Sequence, residues 1–172
     1  NRNSWTTQKR IAEAAPDYTK TTADFGTYVH ALCEAWERSG ERPTDADMRD
    51  LATEMRSGGD LLSMETNLGE LVRRANVRLD GFAGFLDDFQ PEFIEIEQTV
   101  VNRTVGYAGT TDAIVKIGNT LLTGDIKTSK KVRGDYALQA VAVMNAENLL
   151  DNDGTLREMP ELTGAFIIHL PE

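Results

Sequence analysis

Asp112, Asp125 and Lys127 are the residue types of a metal-assisted hydrolytic site, and their spacing shows how a fold could gather them. Gly118-Asn119 separates two strand-like runs, 107–117 and 120–127, and such a pair makes a two-residue hairpin loop whose twist matches that of its strands. With Ile117 opposite Thr120, counting outward brings Asp112 opposite Asp125, with Cβ atoms roughly 5 Å apart. Lys127, two residues beyond Asp125, then points to the same face. Like charges set opposite each other destabilise a hairpin unless something compensates, and a divalent cation such as Mg²⁺ or Mn²⁺, which prefers carboxylate oxygens, is the natural compensation. An ammonium beside that cation can orient the attacking water or stabilise charge on a phosphoryl oxygen. The competing reading is a surface hairpin that shows three charged side chains to water.

The elements that must position this hairpin follow from periodicity. Phe25, Val29, Leu32 and Trp36 form one apolar stripe on a helix that Thr21 could cap, with Asp24 three residues on, and Ser39-Gly40 and Pro43 end it. His30 falls about 100° around that helix from Val29, beside the stripe. A shorter helix carries Met48, Leu51 and Met55 as far as Gly58-Gly59. A longer one runs from Leu68 through Phe89 to Pro91. At Phe93 the period changes to two: Ile94, Ile96 and Val100 alternate with Glu95, Glu97 and Thr99 in a half-buried strand, and parity leaves open which of Glu95 and Glu97 faces a site. After the hairpin come a helix from about Asp135 to Leu150, a polar turn at Asp151-Asn152-Asp153-Gly154, and a last strand over 165–170. This order predicts an α/β fold: a helical N-terminal part (1–91), then a mainly antiparallel mixed sheet with one crossover helix (92–172), together one ordinary domain.

Composition limits the function. Eighteen Lys+Arg against 28 Asp+Glu give a net charge of −10, which argues against a broad basic coat for nucleic acid or anionic membrane and leaves room for one local basic strip. Lys127, Lys130, Lys131 and Arg133 supply such a strip directly after the hairpin. The single cysteine, Cys33, excludes an internal disulfide and any four-cysteine zinc or iron–sulfur site built from these residues, and reads as a packed small hydrophobe. No apolar run approaches the length of a membrane span, and Asn1–Trp5 carry no secretory apolar region, so an intracellular protein is expected. The missing initiator Met suggests a trimmed chain. The Asn102-Arg103-Thr104 sequon reads as chance, and His169 as structural.

Gly109-Thr110-Thr111-Asp112, then Gly124-Asp125-Ile126-Lys127-Thr128-Ser129, then Tyr136-Ala137-Leu138-Gln139, with Gly26-Thr27-Tyr28-Val29-His30 upstream, resemble the PD-(D/E)XK nuclease superfamily in its RecB-type and phage exonuclease branch. The likeness covers about Thr22 to Ala146, and its four pieces stand in the family's order. It implies a restriction-endonuclease-like core in which Asp112, Asp125 and the Ile126 carbonyl ligate the metal and His30 adds a further ligand. It also implies that Lys127 acts on the water and that Tyr136 and Gln139 position DNA or the site. Glu97 looks like the acidic residue that often precedes the G-x-x-D strand, available to a second metal or to water. The implied activity is a Mg²⁺- or Mn²⁺-dependent deoxyribonuclease, most plausibly an exonuclease of phage recombination or repair in a bacterial or phage-infected cell. DNA would be the partner, with a single-strand annealing or recombination protein, or further copies of the chain, as companions. The alternatives are a nicking or structure-specific endonuclease and a non-catalytic nucleic-acid-binding module.

Overall fold

A computed structural model of the protein describes residues 22–58 and 67–171; the expected Thr21 cap and residues 1–5 lie outside them. Three helices come first: α1 over 22–39, α2 Asp45–Gly58 and α3 Leu68–Phe89. Their ends have local causes. Gly40, at φ 73°, donates its N–H to the Trp36 carbonyl and closes α1 in the left-handed conformation that glycine adopts without steric cost. Thr44 and Asp47 form a reciprocal capping pair at the start of α2: the Thr44 N–H donates to Asp47 Oδ2 (2.8 Å), and the Asp47 N–H to Thr44 Oγ1 (3.3 Å). Asn67 caps α3, accepting the amides of Gly69 and Glu70.

Strands β1 Glu92–Asn102, β2 Tyr107–Ile117 and β3 Thr120–Lys127 follow as an antiparallel meander. The β2–β3 register is the expected one, from Ile117↔Thr120 to Ala113↔Gly124, and Gly118 takes the positive φ (60°) that the tight loop requires. β1 departs from simple alternation. A bulge between Phe93 and Glu95 inserts an extra residue, so Phe93 packs against the core while Ile94 is exposed.

The helix expected over 135–150 is shorter. Helix α4 spans Gly134–Met144 and ends where the Asn145 N–H and its side-chain amide both donate to the Val141 carbonyl. The chain then turns into β4 Asn148–Leu150, which pairs with β1, and β5 Leu156–Glu158. The polar turn expected at 151–154 is the loop of this β4–β5 hairpin: the Gly154 N–H donates to the Asp151 carbonyl with Gly154 at φ 87°. β6 Gly164–His169 then lies parallel to β3. The sheet has six strands in the order β5-β4-β1-β2-β3-β6, antiparallel except for the β3–β6 pair, whose crossover contains α4. The fold is thus α/β, with a mixed sheet after the helices.

Two cores sit on opposite sheet faces. Phe25, Val29, Leu32, Leu71, Leu79 and Phe82 of the helical part pack against Ile126 and Ile168. Val143 of α4 packs with Val100, Ile114 and Leu149 on the other side. Cys33 is free and buried in the first core, as expected of a small hydrophobe. Asn102, also buried, donates its amide to the Asn145 carbonyl (2.7 Å), a structural use that fits the reading of its sequon as chance. No described helix is long and apolar enough to cross a membrane.

Gly124, next to Asp125, is fixed by packing. A Cβ there would stand 2.6 Å from Phe166 Cζ, and the Phe166 ring is itself stacked on Phe85 at 5.4 Å. Gly124→Ala is expected to cost about 1–3 kcal/mol of stability through overpacking. Urea unfolding measures it, and an unchanged midpoint would mean that the ring swings aside freely.

Candidate metal centre

Helix α1 has two working faces. Phe25, Val29, Leu32 and Trp36 face the core, and a second stripe, Ala23, Gly26, Thr27, His30 and Glu34, lines one wall of a cleft of about 810 Å³. Lys127, Thr128, Ser129, Arg133 and Tyr136 line it from β3, the β3–α4 connection and α4, with Glu97 and Asp112 contributed by β1 and β2. Gly26 allows the walls to approach: a Cβ there would meet Thr128 Oγ1 at 3.0 Å. The Gly-Thr-x-x-His segment therefore places His30 partly by letting its helix lie close to the β3–α4 connection.

His30, Glu97 and Asp112 each offer one ligand atom such that all lie within 4.8 Å of one another. His30 Nδ1 stands 3.4 Å from Asp112 Oδ2. The paired β2–β3 ladder ends at Ala113↔Gly124, and Asp112 Oδ2 accepts the Ile126 N–H at 2.7 Å. Burial raises the Asp112 pKa, aided by the charge of Asp125, while His30, the Ile126 amide and Lys127 pull it down.

Glu97 settles the choice that parity left open. It lies between the pairs Ile96↔Ala113 and Gln98↔Thr111, hence across from Asp112, and its backbone is left-handed at φ 50°. That conformation costs a non-glycine residue of order 1–3 kcal/mol and persists only where surroundings impose it. Glu97 is exposed toward the cleft, and partial desolvation there, with the charge of Asp112 next, pushes its acid up to about 7. Glu95 turns instead to Arg157 of β5, at 2.7 Å.

Asp125 is less central than the hairpin count implies. Its Oδ2 pairs with Lys127 Nζ at 2.6 Å, and the three-residue cluster forms without it. The Lys127 ammonium lies 5.2 Å from the centre of the Tyr136 ring, so an aspartate and an aromatic face hold it together. Ile126 meets the site through its N–H to Asp112. Gln139 is exposed and borders a small gap with Asp125, away from the residues of the cleft. Of the basic strip, Arg133 lines the cleft and pairs with Asp135 (3.2 Å), while Lys130 and Lys131 are exposed on the connection.

Three further residues take specific places around the site. Ser129 accepts the Tyr136 hydroxyl (2.8 Å), donates its own to the Lys131 carbonyl (2.9 Å), and presents its carbonyl to His169 Nε2 (2.7 Å). His169 is thus structural, as expected, in a specific way: it ties the basic connection to β6. The third is Glu37, two turns along α1 from His30, whose Oε1 is buried without a hydrogen-bond partner. Burial pushes its acid up to about 8, followed by the negative charges of Asp112, Glu97 and Glu34 and against the pull of Arg38. The i, i+4, i+7 stripe His30-Glu34-Glu37 was visible in the sequence; the burial was not.

The donor set fits a hard divalent cation. Two carboxylates and an imidazole converge, more carboxylates stand near, and one buried carboxylate oxygen lacks a partner. No protein-family model matches the chain, and no curated protein matches it either.

The acids predict a pH dependence. Glu37 holds its proton to about 8 in the folded protein, against an ordinary 4.5, with a smaller, solvent-screened contribution in the same direction from the exposed Glu97, so between those values the folded state binds more protons than the unfolded chain. Stability of the metal-free protein should therefore fall as pH rises from about 4.5 to about 8, and Mn²⁺ added at pH 8 should restore part of it. Thermal melting in EDTA and in Mn²⁺ at constant ionic strength measures this. A melting temperature that climbs through the same window in EDTA would contradict it.

Proposed function

We propose that this protein is a divalent-cation-dependent phosphodiesterase that acts on DNA, a PD-(D/E)XK-type nuclease of the RecB and phage exonuclease branch. The observation that carries the reading is the convergence of His30, Glu97 and Asp112 in a cleft that Lys127 also lines. The order of the four sequence pieces supports the family, and the α/β fold with its mixed sheet is compatible with a restriction-endonuclease-like core.

A cation held by His30, Glu97 and Asp112, with Asp125 and the Ile126 carbonyl as further donors, would supply Lewis acidity toward a phosphodiester and the water that attacks it. Mg²⁺ suits the carboxylates, and the imidazole makes Mn²⁺ at least as good. The protein's own groups do the rest. Lys127, held between Asp125 and the Tyr136 ring, orients the water and stabilises charge on the phosphoryl oxygens. The Ile126 amide keeps Asp112 turned into the site. Arg133, with Lys130 and Lys131 on the adjoining connection, offers cations to the phosphate backbone. Tyr136 and Gln139 take separate parts: Tyr136 positions Lys127, and Gln139 is left to meet DNA outside the cleft. Exonuclease action in recombination or repair inside a bacterial or phage-infected cell is the preferred setting, with an annealing or recombination protein or further copies of the chain as companions.

The test is digestion of end-labelled linear duplex beside covalently closed circular DNA, with Mg²⁺, Mn²⁺ or EDTA. Linear DNA should be lost only with metal. Asp112→Asn should lower the rate by about 10²–10³-fold and Lys127→Ala by about 10²-fold, with both variants folded. Cutting of the closed circle would move the reading to an endonuclease. A folded protein that binds DNA and cuts neither substrate would make it a binding module.

A further inference from the structure

We infer that Glu37 is a fourth donor of the cation centre: it lies outside the group of His30, Glu97 and Asp112 whose ligand atoms stand within 4.8 Å of one another, and its carboxylate turns to the ion from the α1 side when the ion is bound. The inference rests on the proposed cation site and adds a residue that neither the hairpin nor the family resemblance assigns.

Three observations support it. First, Glu37 follows His30 by seven residues, so it lies about 20° around the helix from it and continues the stripe that lines the cleft. Second, that end of α1 is fastened at the triad. Arg38 Nη2 donates to the carbonyl of Ile96, the residue before Glu97, at 3.1 Å, and this sets the last turns of the helix against the strand that carries Glu97. Third, Glu37 Oε1 is enclosed by protein and accepts no hydrogen bond. A buried acceptor left unmade costs on the order of 1–3 kcal/mol, more when charged.

The surroundings say what the missing partner is. The neighbouring charges that raise the Glu37 pKa are three carboxylates, Asp112, Glu97 and Glu34. The cation that lowers it, Arg38, is already engaged, with its Nε on Glu34 Oε1 at 2.8 Å and its Nη2 on the Ile96 carbonyl. A lone carboxylate oxygen among like charges is satisfied by a cation. A six-coordinate Mn²⁺ or Mg²⁺ on three side chains has room for another oxygen.

The experiment is Mn²⁺ titration calorimetry at pH 7.5 on wild type, Glu37→Gln, Glu37→Asp and His30→Ala, paired with melting curves in EDTA and in Mn²⁺. Gln keeps the shape of the acid and removes its charge. Glu37→Gln should weaken Mn²⁺ binding tenfold or more and shrink the Mn²⁺-induced rise in melting temperature, while the metal-free variant melts no lower than wild type. Glu37→Asp, which keeps the charge, should retain more of the affinity than Gln does, and it carries the test if the Gln variant fails to fold. Mn²⁺ affinity of Glu37→Gln within threefold of wild type would overturn the inference, because a buried acid that serves only as a neutral packing group is replaced by Gln without consequence for a cation. If wild type binds Mn²⁺, His30→Ala does not, and Glu37→Gln still does, only the Glu37 assignment fails. If wild type does not bind Mn²⁺, the cation site and the proposed function fail with it.

Discussion

Asp112 is held half-buried among other carboxylates, and the local structure is arranged around that cost. Two unit charges about 5 Å apart repel by roughly 3 kcal/mol at the effective dielectric of a protein site, and partial burial adds a desolvation penalty for each. Part of the compensation is built into the chain. The Ile126 amide and His30 act directly on Asp112, Lys127 neutralises Asp125, and Arg38 neutralises Glu34. Arg38 also pulls on Glu37 and Glu97, but desolvation with like charge outweighs it and raises their pKa values. The acids of the site therefore repel one another, and a small cation held by His30, Glu97 and Asp112 would relieve that repulsion.

Strain of this kind needs a scaffold that does not give way, and the two cores supply it. The apolar side of α1 is anchored by Phe25, Tyr28, Val29 and Leu32, with the Tyr28 hydroxyl donating to the Met48 carbonyl at 2.7 Å. His30, Glu34 and Glu37 thus sit on a helix that cannot rotate away from the site without breaking the packing on its other side. On the opposite wall, Tyr136, Ser129 and His169 lock the β3–α4 connection to both α4 and β6, so Lys127 is held at its root and along its side chain. The left-handed backbone at Glu97 is the price of bringing a third strand's carboxylate to the same point.

Much of this was legible in the sequence where one period held over many residues. The long apolar stripes of α1 and α3, the change of period at Phe93 and the glycine loop at Gly118 gave the helices, the meander and a register correct to Ala113↔Gly124. What escaped notice was set by tertiary context. Val143 and Ala146 extend a helical pattern past Asn145, but Glu147 donates its N–H to the Val101 carbonyl, and three-residue strands such as β4 are too short to show a period. The bulge beside Phe93 and the positive φ at Glu97 leave no compositional mark, because neither position is glycine. Site types were readable and site geometry was not: the count that paired Asp112 with Asp125 had no means of showing that Asp125 would turn to Lys127 or that Glu97 would take its place beside Asp112.

The overall charge orders the events that the proposed reaction requires. A chain of net charge −10 repels a polyanion at long range, and Arg133, Lys130 and Lys131 form only a short cationic path along one wall. Without a cation, a phosphodiester entering the cleft would meet Glu34, Glu97 and Asp112 on its walls. On the proposed reading, a divalent ion would change the local charge by two beside the scissile phosphate. Association with DNA should then depend on metal more steeply than the basic strip alone would make it, and the cation should precede the substrate. On the proposed reading, the same acids that repel a phosphate from the cleft would make it selective, admitting one only once a cation offsets their charge.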